Sequence, residues 1–135
     1  MRLKEAYVDL ETAKLLKQNG FKGEGSLFYE NGKIVAYHNY WDRITPLERH
    51  NAIEAPTIQI ARAWLREKHN IDITVDPHDV AGNWIYQFHL CKDRKYLFSR
   101  DVDTSYENCA KEAIKYCLDN LIKSETKDRI EDMIS

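Results

Sequence analysis

The sequence predicts an α+β fold: an antiparallel three-stranded meander packed on two helices in the order α-β-β-β-α, preceded by an N-terminal helix and a β-hairpin. Three observations favour this fold. An Asn-Gly pair separates two β-prone runs, three later segments carry strand patterns, and flanking segments repeat apolar residues at helical spacing. Because the connections between the three later segments are short, we expect their strands to pair antiparallel.

Composition places the chain among ordinary globular proteins. It has 135 residues, a formal net charge of −2 and 43% hydrophobic residues, which excludes disorder and collagen. The chain can bury one core, so we expect a single domain over residues 1–122, followed by a polar tail or short helix over 123–135. Three scattered cysteines indicate free, buried thiols rather than a disulfide framework. The absence of an apolar leader or a membrane-length apolar run predicts a cytoplasmic protein with no membrane contact.

The first helix is predicted over residues 10–19. Asp9 can cap its first turn, and Gly20 can end it. A hairpin follows, with strands over 26–30 and 33–37, because Asn-Gly tolerates the positive φ angles of a tight turn.

The stretch 39–54 has no clean period and is predicted to be a loop or a short helix. A second helix is expected from Ala55-Pro56 to about His69, since proline suits a first helical turn. Arg62 and Arg66 lie four residues apart on its polar side.

Three strands are predicted next, over about 71–75, 84–91 and 95–100. Residues 76–79 are expected to form the first turn because they contain Asp-Pro, and residues 92–94 the second. The alternating aromatic side chains of Trp84, Tyr86 and Phe88 indicate core positions.

The last helix is the clearest in the chain. Thr104 and Glu107 have the spacing of a capping box before it. Its apolar stripe consists of Ala110, Ala113, Ile114, Cys117, Leu118 and Leu121.

From the second helix onward, the order of elements resembles that of double-stranded-RNA-binding domains, over about half of the chain. Those domains place lysines at the start of their last helix to hold phosphates. Here that start carries Glu107, with Lys111 and Lys115 as the nearest basic residues. The resemblance therefore covers element order without the phosphate-binding motif.

A second resemblance is one of sequence. The chain resembles a recurrent family of small uncharacterised proteins of gut Bacteroidales, their phages and prophages. The resemblance lies in residues 7–16 with Gly20-Phe21, in 55–57 with 64–67 and 69–71, and in 105–107. This resemblance implies a phage or mobile-element setting and a cytoplasmic location. It supplies no catalytic residues.

No motif of a known catalytic class occurs in the chain, such as a zinc-protease motif, a phosphate loop or a nucleophile elbow. Asp76, His78 and Asp79 have metal-ligating side chains, but an exposed Asp-Pro turn is the favoured interpretation. His89 and Cys91 share one strand face, too far apart for a direct activating hydrogen bond. The sequence therefore predicts no catalytic residue, metal or cofactor and favours a protein that is not an enzyme.

Two groups of residues are candidate contact sites. A nucleic-acid contact would use Arg62, Arg66, Lys92, Arg94 and Lys95. A pI near 6.2 and interleaved acidic residues instead favour a solvated face of mixed charge. A contact with another macromolecule, or with a second copy, would use the aromatic cluster and outer sheet face formed by Tyr37, His38, Tyr40, Trp41, Gln87 and His89.

The most favoured function is a non-catalytic accessory protein that binds another macromolecule or itself. One alternative is a nucleic-acid-binding domain, whose affinity would fall steeply with salt. The other is a protein that binds a small molecule or nucleotide, or a small enzyme. That alternative predicts a ligand pocket at the edge of the sheet.

Overall fold

The computed structural model describes residues 6–23, 25, 27–36, 44–45, 48, 51–103 and 105–122. Its fold is α+β, as the sequence predicts. The described elements are, in order, α1 (Leu10–Gln18), β1 (Leu27–Glu30), β2 (Lys33–Ala36), β3 (Ile53–Glu54), α2 (Ile58–His69), β4 (Ile71–Val80), β5 (Asn83–Lys92), β6 (Lys95–Asp103) and α3 (Tyr106–Tyr116), which continues as a π-helical segment, Cys117–Ile122. The polar tail over 123–135 lies outside the described residues.

The start and end of α1 follow the sequence prediction. The Asp9 carboxylate accepts a hydrogen bond from the Thr12 backbone N–H at 2.8 Å, and Gly20 lies just past the helix with φ +91°. The Tyr29 hydroxyl donates to the carbonyl of Val8, which ties the segment before α1 to β1.

Replacing Asp9 with alanine is expected to lower the free energy of unfolding by about 1 kcal/mol at neutral pH, the usual value of an N-cap. Burial raises the pKa of Asp9, but the hydrogen bond from Thr12 and the charges of Lys115 and Lys111 lower it more, so the pKa lies below 3.8. A depressed pKa contributes stability above the unfolded-state pKa, and this contribution is lost as the pH falls through the folded-state pKa. Urea unfolding of both proteins should therefore show a difference that shrinks below about pH 4.

The control for this prediction is the uncharged cap of α2. The Thr57 hydroxyl accepts from the Ile60 backbone N–H at 3.1 Å and does not titrate in this range. Thr57→Ala should cost a similar free energy at every pH. A pH-independent effect of Asp9→Ala would contradict the prediction.

The hairpin sheet consists of β2, β1 and β3, in that order and all antiparallel. Asn31 and Gly32 connect β1 to β2 with φ +53° and +80°, as the predicted tight turn requires. β3 is a two-residue strand that the sequence did not reveal, because it lies in the stretch interpreted as irregular. It pairs Ile53 with Tyr29 and Glu54 with Phe28.

The predicted start of the second helix is wrong by about two residues. α2 begins at Ile58 with Thr57 as its N-cap, while the Pro56 carbonyl accepts from the Val8 N–H. A helix N-terminus needs an acceptor for its free N–H groups, which threonine supplies and the Ala-Pro pair does not. α2 ends at His69, and its C-cap Asn70, with a φ of +56°, allows a direct turn into β4.

The meander sheet consists of β4, β5 and β6 in sequence order. The predicted turn over 76–79 is wrong, because β4 runs without interruption through Pro77 to Val80. The turn instead lies at Ala81 and Gly82, with φ +52° and +86°. β4 is an edge strand, where a residue without an N–H is tolerated because alternate N–H groups face away from the sheet.

The cap of α3 also differs from the prediction. The Ser105 hydroxyl accepts from the Asn108 N–H at 3.2 Å, so Ser105 rather than Thr104 is the N-cap. Thr104 itself lies outside the described residues. The helix buries Ala110, Ala113 and Ile114 as its stripe predicts.

The core lies between the helices and the inner face of the meander sheet. It contains Leu16 of α1, Leu65 of α2, Phe88 of β5 and Leu118 of the π-helical segment, all fully buried. The prediction that Trp84 is a core residue is wrong: its side chain is 65% exposed.

The three cysteines are free, and Cys91 is only partly buried, whereas Cys109 and Cys117 are fully buried. Burial raises the pKa of Cys117 to about 12, so its thiol stays protonated at neutral pH. Within the described residues, no helix has the length and apolar character needed to cross a membrane.

Candidate functional site

A cleft lies at the edge of the meander sheet, between α2 and β4. Its volume is about 650 Å³, within the range of small-molecule sites. Ile58, Ile71 and Ile73 form an apolar floor, and the start of α3 closes one side. We call this site the edge cleft. It arises because α2 turns into β4 through a single residue, so helix and strand lie side by side.

Arg62 is the most constrained polar residue of the edge cleft. Its guanidinium donates one hydrogen bond to the Tyr106 hydroxyl, at 3.0 Å, and another to the backbone carbonyl of Ile73. α2, β4 and α3 therefore all meet at this side chain. Because an arginine held by two partners loses less freedom on binding, Arg62 is prepared for contact with a ligand.

Arg66 lies one helical turn after Arg62 and lines the same cleft, with an exposed side chain. Asp72 and Glu107 line it as well. The lining of the edge cleft thus carries two guanidinium groups and two carboxylates. Such a lining can contact an anionic group and a cationic or hydrogen-bond-donating group of one ligand.

The outer face of the meander sheet carries Gln87 and His89, two residues of the predicted contact surface. Both are partly buried on the central strand. A hydrogen bond of 2.5 Å joins His89 Nδ1 to Ser99 Oγ, and His89 Nε2 lies 3.4 Å from a carboxylate oxygen of Asp76. The Tyr96 hydroxyl is 2.7 Å from Ser99 Oγ.

This polar network holds the His89 ring from both of its nitrogens. Histidine, serine and aspartate side chains recur in nucleophilic catalysis, but here Ser99 Oγ contacts both His89 and Tyr96. The network lies on the outer face of the meander sheet, and its residues are not part of the edge cleft. The network therefore fixes the orientation of the His89 ring on this face.

The basic residues of the nucleic-acid hypothesis occupy two neighbouring places. Arg62 and Arg66 lie in the edge cleft, while Lys92, Arg94 and Lys95 lie at the β5–β6 turn. That turn contacts the end of α2, because the Asp93 N–H donates to the Asn70 carbonyl and the Asn70 amide donates to the Asp93 carboxylate. Acidic side chains lie among the basic ones in both places.

The other predicted contact residues, Tyr37, His38, Tyr40 and Trp41, lie outside the described residues. In the part of the chain that the structure describes, no group of three or more His, Cys, Asp and Glu side chains is placed to hold a metal ion.

Sequence reasoning did not identify the residues that complete these two sites. Tyr106 contacts Arg62 across 44 positions of sequence, and Ser99 contacts His89 across ten. Pairing the predicted strands across the second turn would place Phe98 opposite His89, because the sequence does not show the register shift between Leu90 and Cys91 that brings Ser99 there. Tyr106 carries no comparable signal, because its contact depends on how two helices pack.

Comparisons with protein-family models, with curated proteins and with solved structures give no match to this chain. The proposals below therefore rest on the geometry of the two sites.

Proposed function

We propose that this chain is a non-catalytic binding protein whose edge cleft holds a ligand with an anionic group and a separate cationic or hydrogen-bond-donating group. The observation that carries the proposal is the Arg62 guanidinium, held by two hydrogen bonds in the wall of a cleft of about 650 Å³. Charge-assisted hydrogen bonds to arginine are among the stronger polar contacts, and their bidentate form adds specificity.

The chemistry of the lining favours binding over catalysis. The described lining of the edge cleft contains arginine, carboxylate, tyrosine, threonine, glutamine and apolar side chains, without a histidine or a cysteine. These groups orient a ligand and exclude water from its apolar part. The only close histidine–serine contact described lies on the outer sheet face, separate from the cleft.

Replacing Arg66 with glutamine is expected to weaken anion binding in the cleft at least roughly tenfold, because one charge-assisted contact is lost. Arg66 is the right residue to replace, since its side chain is exposed and its replacement should therefore change stability little. The measurement is a titration of the ¹⁵N-labelled chain with acetate and with inorganic phosphate, followed by NMR. We expect shifts at Arg62, Arg66 and Ile73.

Lys68→Gln is the matched control for this experiment. Lys68 is also an exposed cation of α2, two residues from Arg66 and outside the lining of the cleft. The proposal predicts unchanged anion binding in this variant. Equal losses in both variants would indicate general charge attraction and would contradict a defined site.

The outer sheet face is the second candidate, for contact with another macromolecule. The observation in its favour is the network that orients His89 between Ser99 and Asp76 on an open face. The same titration separates the two candidates. Shifts confined to Gln87, His89 and Ser99 would favour the outer face and overturn the edge cleft.

A further inference from the structure

The edge of β4 that faces the cleft carries backbone hydrogen-bonding groups that point away from the sheet. The Ile73 carbonyl is one of them, because it accepts a hydrogen bond from the Arg62 guanidinium, which lies outside the sheet. In an antiparallel strand, the N–H and C=O of one residue point to the same side, and successive residues alternate. The register of β4 with β5 is unbroken from Ile71 to Val80, so Ile71 and Val75 share the outward orientation of Ile73.

Pro77 marks the end of this outward-facing segment. It is the next outward position after Val75, and proline has no N–H to donate to an added strand. Among the described residues, no strand pairs with the edge between Ile71 and Val75, which spans about five residues, or about 17 Å of extended chain. Ile71, Asp72 and Ile73 also line the edge cleft, which places this backbone within reach of a bound ligand.

Resting on the proposed function, we infer that the ligand of the edge cleft is an extended peptide with a free carboxylate, which adds to β4 as a fourth antiparallel or parallel strand. A peptide N–H donates to the second lone pair of the Ile73 carbonyl, so Arg62 keeps both of its hydrogen bonds, and its remaining N–H groups contact the peptide carboxylate together with Arg66. This arrangement leaves no hydrogen-bonding group without a partner.

The edge cleft carries both positively and negatively charged side chains, and this combination fits such a ligand. A peptide supplies one carboxylate for the arginines and several N–H donors for Asp72 and Glu107. Its alternate side chains would face the apolar floor formed by Ile58, Ile71 and Ile73. A simple inorganic anion can contact the two arginines of this lining but offers no N–H donor to its two carboxylates.

The test begins with selection of peptides from a library of random hexapeptides displayed with free C-termini, using the full chain as bait. A selected peptide is then added to the ¹⁵N-labelled chain, and amide hydrogen exchange is measured at Ile73 and Val75. Strand addition predicts at least roughly tenfold slower exchange at both amides, because their N–H groups become hydrogen-bonded. Exchange at Thr74, whose N–H faces β5, should change less.

Two synthetic forms of the selected peptide serve as controls. A form with N-methylated backbone amides keeps its side chains and carboxylate but cannot donate to β4, so it should neither bind nor slow exchange. A form with a C-terminal amide should lose affinity roughly tenfold. Failure to select any peptide, or binding without slower exchange at Ile73 and Val75, would overturn strand addition. Anion-induced shifts at Arg66 would still support the proposed function in that case.

Discussion

Replacing Phe88 with alanine is expected to lower the free energy of unfolding by about 3–5 kcal/mol, a large share of the stability of a domain of this size. Phe88 is fully buried at the centre of the meander sheet, between Val75 and Arg100 on the neighbouring strands. Its ring lies edge-to-face with Phe98 at 6.0 Å, and the Arg100 guanidinium lies 5.8 Å from its centroid. Deletion of the ring leaves a cavity that these neighbours fill only in part.

Trp84→Ala is the matched control, because Trp84 lies on the same face of β5, four residues earlier. Its side chain is 65% exposed, so its loss should cost less than about 1 kcal/mol. Urea unfolding gives the free energy of unfolding of both variants. Phe88→Leu is a smaller truncation that replaces Phe88→Ala if that variant does not fold. Equal losses at positions 84 and 88 would contradict the assignment of the core.

The comparison of Trp84 with Phe88 also shows what strand periodicity can and cannot predict. Alternation correctly places both side chains on one face of β5. It does not reveal how far the helices extend along that face. α2 and α3 cover the end of the sheet near Phe88 and leave the turn-proximal end, with Trp84, exposed.

Local sequence signals were sufficient to predict an element where the residue type determines the backbone conformation. Asn31-Gly32 predicted the hairpin turn, and Asp9 predicted the start of α1, because positive φ angles and N-caps depend on neighbours in sequence. Pro77 misled the prediction because its effect depends on sheet position. In an edge strand, a proline whose nitrogen faces away from the sheet leaves the pairing with the neighbouring strand intact. Only the tertiary structure shows that β4 is the edge strand.

The edge cleft was predictable only in part. Helical spacing predicted that Arg62 and Arg66 share a side of α2, and a ligand pocket at the sheet edge was one stated alternative. The partners of Arg62 were not predictable, because Tyr106 and Ile73 reach it through the packing of α3 and β4. Long-range contacts of this kind leave no periodic pattern in a single sequence.

Replacing Leu65 with alanine is expected to cost about 2–5 kcal/mol, since Leu65 is a fully buried side chain by which α2 packs against the core. Ile60→Ala, on the same helix, is the control: Ile60 is 44% exposed and its loss should cost less than about 1 kcal/mol. Urea unfolding compares the two variants directly.

The Leu65 variant also connects stability with the site. α2 carries Arg62 and Arg66. A ligand that binds only the folded chain should therefore stabilise Leu65→Ala by the same free energy by which it stabilises the unsubstituted chain. Acetate or a selected peptide should therefore raise the unfolding midpoint of Leu65→Ala, and Arg66→Gln should remove that increase. If Leu65→Ala lost no more free energy than Ile60→Ala, the assignment of Leu65 to the core that supports α2 would be contradicted.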